Sequence, residues 1–209
     1  GMLEWFKNNF AAEEQKLADA KGVSVWDPLM DLAKEVPAGS RGVFFLPHFA
    51  GAGAPHVDNR SLGAFAGLNE GADKGVLLRA LIEGLDYQFL EFIVNLEKAL
   101  GEKLERVVAV GGTARNSFWM QNKADVSGKA VEVPGYEEAT PLGTAMLAGI
   151  GAGIYADEAD AFKRVYKAGS VYEPDKANHE LYRQYFEVYR KLYPGLKDIS
   201  HTIFDMFRS

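Results

Sequence analysis

The longest apolar periodicity in the chain runs from Asp73 to Leu100, and it limits what the remaining residues can build. Val76, Leu77, Ala80, Leu81, Leu85, Phe89, Phe92, Ile93, Leu96 and Leu100 recur at helical spacing over about seven turns. A face that broad has to be enclosed on several sides, so other elements must wrap this helix. Gly101 closes it, and Gly84 lets a neighbouring backbone approach its middle closely. Glu83, beside that glycine, is the oddity. A carboxylate on an enclosed helix must be hydrogen-bonded, and a buried structural acid is expected there rather than a catalytic one.

The next stretch, LERVVAVGGTARNSFWMQNKADVSGKAVEV from Leu104 to Val133, reads as strand, glycine turn, helix and strand. Leu104 to Val110 is a short valine-rich run, broken by Gly111 and Gly112. Ser117 to Ser127 then carries Phe118, Trp119, Lys123, Ala124 and Val126 at helical spacing, and Gly128 ends it before strand character resumes at Ala130. This order builds a ligand pocket. Two glycines let backbone pass a bound group without a Cβ in the way, and the free N–H groups of the helix start face the same spot. Asn116, at the turn into the helix, is either an N-cap or an amide that reads a polar ring edge. With no ligand, the same three residues only pack and cap.

Composition removes whole classes of function. A chain of 209 residues with 47% hydrophobic and 25% charged content is long enough to bury a substantial core, as one large domain or a core with a helical appendage. Its formal net charge of -6 argues against a nucleic-acid partner or an anionic membrane surface. No cysteine is present, which excludes disulfides, thiol catalysis and thiolate metal sites. No apolar run reaches the length of a membrane span and no basic-then-apolar leader opens the chain, so a cytoplasmic protein is expected. Gly1 before Met2 reads as a tag remnant, with Met2 internal to a longer natural chain.

In order, Leu3 to Ala20 reads as one amphipathic helix, and Asp27-Pro28 as the cap and first residue of another that runs to Glu35. Val43 to Leu46 is a buried strand that opens into PHFAGAGAPHVDNRSLGAFAGL, a long glycine-rich loop held close to other backbone. His48, His56 and Asp58 lie in that loop, but their spacing matches no common metal-ligand pattern, and His179 and His201 are read as remote, so no metal site is expected. Thr140-Pro141 begins a helix whose Gly143, Ala145, Ala148, Gly149 and Ala152 form a small-residue face suited to lying on a sheet or on the glycine turn. Lys176 to Tyr193 reads as a terminal helix whose tyrosine stripe is a packing face.

Several of these stretches together resemble the C-terminal half of an FGGY-family carbohydrate kinase, the group that includes xylulokinase, ribulokinase and glycerol kinase. Gly63-x-Phe65-x-Gly67-Leu68, followed by Val76-Leu77-x-x-Ala80-Leu81-Ile82-Glu83-Gly84, is similar to the family's second signature, with Val76 where a polar residue is usual. Gly111-Gly112-Thr113-Ala114-Arg115-Asn116, with Trp119, Gln121, Ala124-Asp125 and Gly128, resembles its adenosine motif, and Glu138 to Ala148 the helix after it. The resemblance covers nearly the whole chain. One departure is Gly51-Ala52-Gly53-Ala54-Pro55 where many relatives read Gly-Glu-Arg-x-Pro, which points to an atypical subgroup.

The resemblance implies an α/β, helix-rich, actin-like (ribonuclease H-like) ATPase domain, incomplete here. Residues 2–209 would be the nucleotide-binding C-terminal domain, with its first strands and the whole N-terminal domain absent. It implies ATP with Mg²⁺, and a sugar or polyol substrate bound in the cleft between two domains. Gly111 and Gly112 would pack on the adenosine and Asn116 would contact the adenine edge. The aspartate base, the phosphate loops and most sugar contacts belong to the missing part, so no catalytic residue is expected in this chain, which would be inactive alone. The sheet edge left by missing strands invites pairing, as in a homodimer. A non-catalytic nucleotide-binding module is the alternative.

Overall fold

A computed structural model describes residues 1–136 and 138–207. Its axis is α4 (Lys74–Leu100), capped by Asp73, whose Oδ1 accepts from Val76 N at 2.9 Å, and ended by Gly101 at φ 75°. α1 (Met2–Phe10) and α3 (Trp26–Lys34) pack on it, as does the first strand of an antiparallel hairpin, β1 (Phe44–Leu46) with β2 (Ala64–Ala66). α5 (Ser117–Ser127) and α8 (Lys176–Tyr189) complete the enclosure. The expected wrapping is met, and Gly84 does what its position suggests. A Cβ there would collide with the carbonyl of Phe45, so β1 crosses the helix in backbone contact.

Glu83 is the buried structural acid that the sequence leads one to expect. Its Oε1 accepts from Gly39 N at 3.0 Å and Arg79 Nε at 2.8 Å, and its Oε2 from Ser40 Oγ at 2.8 Å. The turn it holds is strained: Ser40 and Arg41 both lie in the left-handed region at φ 49° and 51°.

A second, mixed sheet runs in the order β3 (Arg106–Val108), β4 (Ala130–Val133), β5 (Ser170–Tyr172), with β3 and β4 parallel and β5 antiparallel to β4. α5 is the crossover between the parallel pair. Glu97 staples this unit to the end of α4, accepting from Lys103 Nζ at 2.8 Å, Leu104 N at 2.9 Å and Lys129 Nζ at 2.6 Å. β4 is paired on both sides, but among the described residues β3 has an open outer edge.

Four sequence expectations need correction. The helix expected over Leu3 to Ala20 breaks at Ala11 (φ −103°, ψ 26°) into α1 and α2 (Ala12–Lys21). α3 starts at Trp26, so Asp27 lies in its first turn instead of capping it. The terminal helix is two: α8 ends at Tyr189, and α9 (Leu192–Phe207) follows, with Pro194 and Gly195 in its first turn. Pro is tolerated there because first-turn N–H groups have no intrahelical acceptor. Finally, α6 (Ala139–Gly151) packs chiefly against α7 (Glu158–Val165), not on the sheet or the glycine turn; Leu147 is 65% exposed and only Gly149 is buried.

Candidate functional site

β3 delivers the chain to the glycine turn, where Ala109 N donates to Glu132 O at 2.8 Å and ends the pairing with β4. Gly111 then takes φ 93° and ψ −179°, a conformation that only glycine adopts readily. Gly112 to Arg115 forms a single tight turn, closed by Ala114 N to Gly111 O at 3.0 Å and Asn116 N to Thr113 O at 3.2 Å. Gly112 is exposed, and a Cβ on it would meet no atom of the chain within 4 Å. Packing within the chain therefore gives no reason for a glycine at 112.

Asn116 is an N-cap. Its Oδ1 accepts from Trp119 N at 2.9 Å, which fixes the start of α5. Ser117 and Phe118 N–H lie in the first turn, where the helix offers no acceptor, and the positive end of the helix dipole adds to them. The turn, the cap and these amides are consecutive in the chain, with Gly112, Thr113, Arg115 and Ser117 exposed. Concavities of about 250 and 350 Å³ lie elsewhere, between α1 and α2 and between α2, α3 and the start of α4.

Periodicity did not reveal the polar layer behind this surface. Asp86 is fully buried, and it accepts from Trp119 Nε1 at 3.0 Å, Asn122 Nδ2 at 2.7 Å and Lys123 Nζ at 2.6 Å. Arg79 donates to Asn122 Oδ1 at 2.9 Å and to the Tyr182 hydroxyl at 2.6 Å, and stacks its guanidinium 4.7 Å from the Phe118 ring centre. Burial, reinforced by Glu83, pushes the Tyr182 phenol far above its ordinary range, so it stays a neutral hydroxyl. Asp125, in the motif-like Ala124-Asp125 pair, holds the far side of α5. It accepts from Asp175 N at 2.9 Å and Asn178 Nδ2 at 3.0 Å, where α8 begins.

The histidines assemble elsewhere and differently from expectation. His201, read as remote, lies on α9 with Nε2 2.7 Å from Asp58 Oδ2, and Tyr193 OH donates to the same oxygen at 2.9 Å. His56 stacks on Tyr193 at 4.0 Å, with its Nε2 3.2 Å from Glu91 Oε1. His48 is buried against Ser61 Oγ at 2.7 Å. These contacts fasten α9 to the loop at 47–61. Among the described residues, no group of three or more His, Asp or Glu is arranged to hold a metal ion.

The sequence model of the FGGY family of carbohydrate kinases, C-terminal domain, matches residues 1–152. A xylulose kinase of Staphylococcus epidermidis is 30% identical over 198 residues, covering 95% of this chain and 38% of that protein. A glycerol kinase of Solidesulfovibrio magneticus is 38% identical over 167 residues, covering 79% and 33%. Among solved structures, ligand-bound xylulose kinase from Lactobacillus acidophilus superposes with a TM-score of 0.80 at 26% identity, over 93% of this chain and 37% of that one. The chain thus spans under two fifths of the length of these relatives.

Proposed function

The chain belongs to the FGGY family of carbohydrate kinases, and on that premise we propose that it supplies the adenosine side of an ATP-dependent sugar or polyol kinase. The observation that carries the reading is Gly112: a glycine with open space around it, beside a left-handed Gly111 and the capped start of α5. Gly111 and Gly112 pack on the adenosine. Asn116 meets the base edge, and because its Oδ1 is engaged by Trp119 N, the group it offers is its NH₂ donor. The acceptor that suits it is a ring nitrogen.

Phosphoryl transfer asks a protein mainly to position the γ-phosphoryl group and to stabilise its charge. This chain's share is the positioning of adenosine. The described residues give Mg²⁺ no acidic cluster, so no step is assigned to it here. The reaction would need a base and phosphate loops from further polypeptide, and we place these upstream, together with the first strands of this domain. Two features support that placement: β3 has an open edge, with Val108 50% exposed, and the apolar α6 is largely bare. An upstream strand on β3, instead of a second copy of the chain, is the arrangement we favour. No helix among the described residues is long and apolar enough to cross a membrane, and we place the kinase in the cytoplasm, where ATP is.

The test is ATP consumption by the natural gene product across pentuloses, hexuloses and polyols, beside the 209-residue chain and a Gly112→Val variant of the longer protein. Turnover of one sugar or polyol by the longer protein, lost in G112V with folding intact and absent from the short chain, is expected. A natural product no longer than this chain, or G112V with unchanged KM for ATP, would sink the reading.

A further inference from the structure

We propose that Asp86, on α4, is a positioning residue for the glycine turn: its buried carboxylate sets where the first turn of α5 points and hence where Asn116 meets the base. This rests on the nucleotide reading above. All three side-chain donors to Asp86 come from α5: Trp119 Nε1 at 3.0 Å, Asn122 Nδ2 at 2.7 Å and Lys123 Nζ at 2.6 Å. Trp119 is held at both ends. Its indole N–H goes to Asp86, and its backbone N–H goes to Asn116 Oδ1 at 2.9 Å. Two hydrogen bonds therefore connect α4 to the residue that would touch the base.

Directional bonds do what apolar contact alone does not. A methyl-lined interface tolerates rotation and small slides of one helix on another, whereas three donors converging on one carboxylate define both the rotation of α5 and its height along α4. Arg79 adds a fourth restraint through the Phe118 ring and Asn122 Oδ1. The charge is balanced locally. Lys123 is 15% exposed and also lies over the Phe89 ring at 4.4 Å, so the carboxylate of Asp86 and the ring face together offset the hydration that its ammonium gives up. The Asp86→Asn change keeps the shape but leaves Lys123 without its counter-charge and weakens the acceptor for the indole.

The experiment uses the longer natural protein, with residue-resolved amide exchange and calorimetric titration of ADP. In D86N, exchange at Trp119 and Met120 should rise about tenfold relative to the centres of α4 and α8, and ADP should bind about tenfold more weakly, because small misplacements of a binding group carry costs of that size or larger. Trp119→Phe, which keeps the backbone cap and loses the indole bond, should reproduce both effects and stands in if D86N does not fold. Exchange that rises uniformly along the chain would mean ordinary loss of stability and would overturn the proposal. So would wild-type ADP affinity in D86N or W119F. If the longer wild-type protein fails to bind millimolar ADP, the nucleotide reading falls and takes the proposal with it; binding by wild type but not by G112V, with α5 exchange unchanged in G112V, keeps the two separable.

Discussion

His48 carries the clearest pH dependence of any single residue. Burial, helped by the nearby His56 and opposed by Asp58, lowers its pKa from 6.5 to about 4. The unfolded chain therefore takes up a proton between those values that the native chain refuses, and stability falls as pH drops from 6.5 to 4. The shift corresponds to on the order of 3 kcal/mol at most. Urea denaturation at stepped pH should show this slope, and His48→Asn, which can keep a partner for Ser61, should flatten it. Glu97 acts lower down: hydrogen bonds from Lys103 and Lys129 hold its carboxyl at about 2 against an ordinary 4.5. Its contribution is fully present above 4.5 and is lost as pH falls towards 2. The turn at Gly111 and Gly112 and the Asn116 cap were legible from sequence because glycine pairs and caps are local signals. Asp86 and His201 were not. Their partners, at 119–123 and at 58, are set by tertiary packing that no short window contains.

At the scale of elements, α4 and the β3–α5–β4 crossover could be read because each rests on a long period or a strong punctuation mark. The failures have specific causes. Ala11 is as helix-compatible as any residue, so nothing local announced the break between α1 and α2. Pro194-Gly195 is a pair that breaks a helix interior, yet a proline in the first turn is pre-organised to start one, as it does in α9. The hairpin strand β2, Ala-Phe-Ala, is too short and too glycine-flanked to show alternation. The α4–β1 crossing yields a sharp prediction. Gly84→Ala places a methyl group against the Phe45 carbonyl, backbone that cannot rotate away, so the variant should lose about 2 kcal/mol or more in urea denaturation. Gly101→Ala, with φ 75° and no atom in the way, should lose only the cost of a left-handed alanine, about 1 kcal/mol. Equal losses would show that crowding at the crossing is not what glycine relieves there.

For the whole molecule, the informative surface is the one that the chain leaves uncovered. α6 reads Ala-Thr-Pro-Leu-Gly-Thr-Ala-Met-Leu-Ala-Gly-Ile-Gly, a composition suited to burial, yet Leu147 is 65% and the following Ile154 63% exposed. The sequence reading placed this small-residue face on a sheet or on the glycine turn, whereas the helix packs chiefly on α7 and leaves apolar side chains in solvent. On the proposal that upstream strands complete the sheet at β3, α6 changes from a solvent helix to a covered one. Leu147→Asp separates the two situations. In the 209-residue chain it exchanges one exposed side chain for another and should move stability by no more than about 0.5 kcal/mol. In the longer natural polypeptide the same carboxylate would be forced into an apolar contact, at a cost of several kcal/mol or through a displaced α6. Thermal denaturation of both lengths, with and without the substitution, reads the difference directly. A similar small shift in both would mean that α6 stays in solvent in the complete protein and that the missing strands pack elsewhere.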